Sequence, residues 1–85
     1  MYKYKPQTKE ELKKLAEDEN IYLGDIDTSL ITDMSELFKN SNRDNFEGLE
    51  TWNTSNVVNM GSMFELAENF NHNINSWDVS KVENM

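Results

Sequence analysis

The sequence predicts a small α/β solenoid, in which short strands and short helices are stacked in series behind a capping helix at the start of the chain. Three observations predict it. A nine-residue phrase occurs three times, as Ile26-Asp27-Thr28-Ser29-Leu30-Ile31-Thr32-Asp33-Met34, Trp52-Asn53-Thr54-Ser55-Asn56-Val57-Val58-Asn59-Met60 and Trp77-Asp78-Val79-Ser80-Lys81-Val82-Glu83-Asn84-Met85. Trp52 follows Ile26 by 26 residues and Trp77 follows Trp52 by 25, and a period in this range marks a stacked array. A helix-start signal precedes the first copy.

The lead-in, residues 1–19, opens with Thr8-Lys9-Glu10-Glu11, which fits a capping box. The Thr8 hydroxyl can accept from the N–H of Glu11, and the Glu11 carboxylate can reach back to the N–H of Thr8. Acids in the first turn suit the helix dipole. Leu12, Leu15 and Ala16 then form a narrow apolar stripe, with Lys13 and Lys14 turned to solvent. Such a helix covers the end of an array, whose stacking face would otherwise meet water.

The array occupies residues 20–85, with copies near 20–45, 46–69 and 70–85, the last incomplete. The first part of each copy is extended and rich in Asn, Asp and Gly. Its apolar residues lie three or four apart, as in Phe46, Leu49 and Trp52 or Phe70, Ile74 and Trp77, which reads as a curving loop with a very short strand. The second part begins at Ser29, Ser55 or Ser80 as helix N-caps. Ile31, Met34, Leu37 and Phe38, and then Val57, Met60, Met63 and Phe64, follow at helical spacing, predicting one helix of about two to three turns per copy. Ser80-Lys81-Val82-Glu83 repeats the capping-box pattern. A unit of this size cannot enclose Trp52, Met60 and Phe64 alone, so these residues are read as core buried between units.

Repetition of the whole phrase Trp-Asp/Asn-x-Ser-x-Val-x-Asn-Met, followed by Met63-Phe64 in the second copy, resembles the BspA-like leucine-rich-repeat proteins of bacteria. The resemblance covers about residues 20–85. It implies a leucine-rich-repeat-like solenoid, and members that are often surface proteins binding host or neighbouring-cell proteins, with neither catalysis nor a cofactor. The first copy departs from the pattern, with Ile26 in place of Trp and Asn20 in place of Phe46 or Phe70, as an atypical end repeat does.

Composition narrows the function classes. At 85 residues, a compact core buries only about 60% of the unfolded surface, so stability has to come from stacking or from a partner. There is no cysteine, hence no disulfide framework, thiol nucleophile or CxxC metal site. The net charge is −8 and is unevenly spread. Five lysines balance five acids in residues 1–19, whereas Lys39, Arg43 and Lys81 face eleven acids in the remainder. An acidic array argues against direct nucleic-acid binding, which needs a basic stripe. No apolar run follows the charged start, and no segment approaches the roughly 18 apolar residues of a membrane helix. As read, the sequence is expected to be cytoplasmic; membership of an exported array would place it at the cell surface.

Catalytic and metal chemistry find little support in the residues. His72 is the sole histidine, set in an Asn-rich loop with no serine or acid at suggestive spacing, and three glycines make no phosphate loop. Asp25-Ile26-Asp27 and Asn69 to Asn75 alternate oxygen-bearing side chains, but neither supplies both the glycine and the glutamate of an EF-hand loop. Those side chains are expected to bond turn backbone instead. Asn53-Thr54-Ser55 matches a glycosylation sequon inside a repeated structural phrase.

What remains is protein binding through the variable positions, with Asn42, Arg43, Asp44, Glu47, Glu50, Glu65, Glu68 and His72 as candidate contacts, beside Thr51 and Asn71. A second expectation is a small acidic inhibitor that competes for the basic nucleic-acid-binding surface of a partner protein. Trp77, Val79, Val82 and Met85 leave an uncovered apolar end, which favours self-association.

Overall fold

The chain begins with one α-helix whose start is set by a hydroxyl. In the computed structural model, which describes residues 2–84, the N–H of Glu11 donates to Thr8 Oγ1 at 3.2 Å and opens α1, Lys9–Glu17. The return contact differs from the expected box by one residue, since the Glu11 carboxylate accepts from the N–H of Gln7. Leu12 and Ala16 are buried and Leu15 packs at the edge of the same core. Lys13 is not turned wholly to solvent. Its Nζ donates to the Glu36 carbonyl, while Lys9 reaches Ser35 Oγ and Asp33, so α1 lies along residues 33–36.

Beyond α1 the same backbone pattern repeats. The N–H groups of alternate residues cross to the following unit: Met34 to the Asn59 carbonyl, Glu36 to Gly61, Phe38 to Met63 and Asn40 to Glu65, all at 2.8–3.0 Å. Between them, Leu37, Lys39 and Ser41 close tight turns on the carbonyls three residues back. The second unit repeats the tight turns at Met63, Glu65 and Ala67, and Met60 donates onward to the Asn84 carbonyl.

This pattern corrects the expected helices. The described residues after α1 contain only two one-turn 3-10 helices, Leu23–Asp25 and Leu49–Thr51, and no α-helix follows Ser29, Ser55 or Ser80. A helix would direct each N–H four residues back, whereas here every second one leaves the unit. Left-handed backbone at Glu36 and Asn40 (φ 59° and 61°), and at their equivalents Ser62 and Leu66 (56° and 59°), enforces the break. The serines are not the caps either. Asp27, Asn53 and Asp78 each accept the N–H of the serine two residues on, at 3.0 Å. Strands shrink to single parallel bridges, Asp33 with Asn59 and Asn59 with Asn84, and Tyr4 pairs with Ile26 in the same sense.

Side chains fix the register between units. Trp52 Nε1 donates to the Leu23 carbonyl at 2.8 Å, and Trp77 Nε1 to that of Leu49 at 3.0 Å. Thr28 Oγ1 donates to the Asn53 carbonyl and Thr54 Oγ1 to that of Asp78, both at 3.0 Å. Phe38 stacks on Phe64 with planes 2° apart, and Trp52 on Trp77 with planes 1° apart. Of the residues read as core, Trp52 and Met60 are buried, in one cluster with Leu12, Ala16, Leu23, Ile26, Ile31, Met34, Leu37, Phe38, Phe46, Leu49, Val57, Met63 and Trp77, while Phe64 is partly buried and packs against that cluster. Met85 lies outside the described residues. Among those residues no helix is long and apolar enough to cross a membrane.

One glycine is required by close approach. Gly48 has φ 93°, and a Cβ there would stand 2.3 Å from the Gly24 nitrogen of the preceding unit. Gly48→Ala therefore combines backbone strain with a clash between units, and is expected to lower the unfolding free energy by about 1–3 kcal/mol. Leu12→Ala, which empties the contact beneath α1, is expected to lower it by about 2–5 kcal/mol. Urea titration followed by tryptophan fluorescence measures both.

Candidate functional site

The repeat sets equivalent side chains side by side, so surface rows run across the units. Asn56 Nδ2 donates to the Ser29 carbonyl at 2.8 Å and its oxygen receives Lys81 Nζ at 3.4 Å. Lys39 Nζ lies 3.4 Å from both Glu36 and Glu65, joining two units, and these carboxylates raise its pKa, Glu65 foremost. Asn69 Nδ2 donates to the Asp44 carboxylate. His72 Nε2 contacts the Glu50 carboxylate across the same kind of step, and this contact foremost holds Glu50 below its ordinary pKa.

The candidate contacts therefore separate into several places. Glu47, Glu50 and His72 come together around one shallow depression, with Asn73, Asn75 and Ser76. Glu65 belongs to the Lys39 bridge, Asp44 pairs with Asn69, and Asn42 and Glu68 are exposed. Arg43 is the exception and a correction. It is only 5% exposed, and its guanidinium donates to the carbonyls of Asn45, Ala16, Asp18 and Ile21. Burial pushes its pKa down while Glu19 and Asp18 oppose this, and arginine stays charged. It ties the end of α1 to the first unit and is not available to a partner.

Sequence spacing did not place Ser76 near His72, yet both line the depression. The Ser76 hydroxyl donates to the Glu50 carbonyl at 3.0 Å and not to His72, so these two are not paired as nucleophile and base. The Asn- and Asp-rich segments spend their oxygens on the chain. Asp27 accepts from Ser29 and Asn73 from Asn75, and Asp25 lies 3.8 Å from Lys3. Among the described residues, no three His, Asp or Glu side chains are grouped to hold a metal ion. Spacing also did not flag the Ser29, Asn56 and Lys81 row, although these residues sit at or beside equivalent points of the phrase.

Residues 7–85 match the family described as Mycoplasma protein of unknown function, DUF285. The chain belongs to that family. The DUF285 match spans α1 and all three copies of the repeated phrase. No curated protein and no solved structure matches the chain.

Two predictions follow from this geometry. Lysine cannot span four diverging carbonyls, so Arg43→Lys should lower stability by about 2–4 kcal/mol, read from urea titration. The second concerns acid. Backbone N–H groups hold the carboxyls of Glu19 (from Asp44, then Asn45), Asp27 and Asp78 (each from its following serine) below their ordinary values of 4.5 and 3.8. Groups with depressed folded-state pKa stabilise the fold above the ordinary carboxylate range, and that contribution is lost as pH falls through the depressed values. The melting temperature should thus hold from neutral to about pH 5 and fall below about pH 4. Asp27→Asn, which keeps an acceptor, should flatten part of that fall in calorimetry.

Proposed function

We infer that this protein is a noncatalytic repeat module that binds another protein, built as a small leucine-rich-repeat-like solenoid. The observation that carries the reading is the alignment of equivalent surface side chains across units, seen in the Asn56 to Lys81, Lys39 to Glu65 and Asp44 to Asn69 contacts. Rows of this kind offer a partner several similar contacts on one extended face. The association of DUF285 proteins with BspA-like surface repeat proteins supports the same reading. Charge gives the partner's character. With Arg43 buried and Lys39 held between two glutamates, the acids after residue 20 are little opposed, which suits a basic partner.

The same acidity favours a second reading, a small inhibitor that occupies the basic nucleic-acid-binding surface of its target. One experiment separates the two. Affinity capture compares the wild-type chain with a Glu47→Gln, Glu50→Gln, Glu65→Gln and Glu68→Gln variant at two salt concentrations. The face reading expects a specific protein held by the wild type and released by the variant, with added duplex DNA having no effect. Displacement of the captured protein by duplex DNA supports the inhibitor reading. Partners retained equally by wild type and variant count against both.

A further inference from the structure

Two of the three glycines in the chain make room for one side chain. A Cβ at Gly24 would stand 2.5 to 2.8 Å from the Cε2, Cζ and hydroxyl oxygen of Tyr22, and one at Gly48 would stand 2.9 Å from its Cε1. The outer part of the Tyr22 ring therefore lies over the backbone of its own unit and of the next. Gly48 is the residue equivalent to Tyr22 one unit on, so the ring bridges a step of the array. Tyr22 is no part of the core cluster, and it stays 49% exposed.

The seat of this ring is bordered by acid. Gly48 donates its N–H to Glu50 Oε1 at 3.1 Å, and the same oxygen meets His72 of the third unit. Glu47 beside it is exposed and, among the described residues, is paired with no cation. Lys3 lies 3.8 Å from Asp25, and Arg43 is spent on carbonyls. A half-exposed aromatic ring with carboxylates along its border suits a guanidinium, whose face stacks on the ring while its edge donates to a carboxylate. Neighbouring units stand about 5 Å apart, as parallel strands do, so one arginine side chain can serve both. The net charge of −8 favours this cation over a sugar ring, the other group that an exposed tyrosine can hold.

We propose that this face takes an arginine side chain from an extended segment of the partner protein, with the guanidinium stacked on Tyr22 and its edge toward Glu47 and Glu50. The inference rests on the reading of the protein as a module for a basic protein partner, and names the group that is recognised. Residues of the segment beyond the arginine pass over the neighbouring depression, where exposed Asn73 and Asn75 present side-chain amides. Lysine fits less well, because an ammonium is a point charge with no face to stack.

The test titrates the full chain, labelled on its tyrosine rings and backbone nitrogens, with the peptide acetyl-Gly-Arg-Gly-Arg-Gly-amide and its lysine and glutamine counterparts. Saturable shifts of the Tyr22 ring and of the Gly48 and Glu50 amides are expected with the arginine peptide. The lysine peptide should bind about threefold more weakly, and the glutamine peptide should leave these signals in place. Tyr22→Leu should weaken arginine-peptide binding about two- to fivefold, while Tyr22→Phe, which keeps the ring, leaves it unchanged. Glu47→Gln should weaken it about twofold and reduce its dependence on salt. A Tyr22 ring that does not respond overturns the proposal, as does equal binding of the arginine and glutamine peptides, or binding that Tyr22→Leu leaves intact. It is overturned equally if methyl glucoside moves the ring and the arginine peptide does not, because the occupant is then a sugar. Specific capture by the acidic face together with a silent Tyr22 ring would remove this site and leave the protein-binding reading standing.

Discussion

From Met34 to Asn40 every second backbone N–H leaves its own unit, and the rest of the architecture depends on where those donors go. A unit by itself would hold Met34, Glu36, Phe38 and Asn40 with donors unmet, and with two residues in left-handed backbone. Such residues cost of order 1–3 kcal/mol each, and unmet buried donors cost a similar amount. In the first unit the carbonyls of the next unit meet all four donors. Neighbouring units are thus tied to each other, and their separation along the chain is held near 25 residues by the bonds themselves.

Charge is organised by the same requirement. Arg43, the lone buried cation among the described residues, gathers carbonyls left at the end of α1 and in the loops after it, where the first unit meets α1 and not a repeat. Glu19 completes the junction from the other side by accepting the N–H groups of Asp44 and Asn45. A terminal unit thus obtains from one guanidinium and one carboxylate what inner units obtain from their neighbours. The acids left over sit on the outside, in rows set by the repeat.

Much of this was legible in the residues, and the part that was not has a specific cause. The period, the Thr8 cap and the burial of the Met, Phe and Trp positions follow from spacing and side-chain type. The expected helices failed because tight turns closing three residues back and a helix both bring residues i, i+3 and i+7 to one side. Ile31, Met34, Leu37 and Phe38 are buried under either geometry. The signal that separates them is weak, since Glu36 and Leu66 are not residues that favour left-handed backbone. Arg43 was misplaced for a related reason. A single arginine among acids reads as surface charge until the carbonyls around it are seen, and those come from residues 16 to 45. The depression at Glu50, His72 and Ser76 forms across a step between units, which no local spacing encodes.

Val79 stands where Thr28 and Thr54 carry a hydroxyl that donates to the next unit. Cooperativity in such a stack passes only between adjacent members. A change at one step is then felt first by the two members that share it, so loss of the Arg43 junction reaches α1 and the first unit before the units beyond.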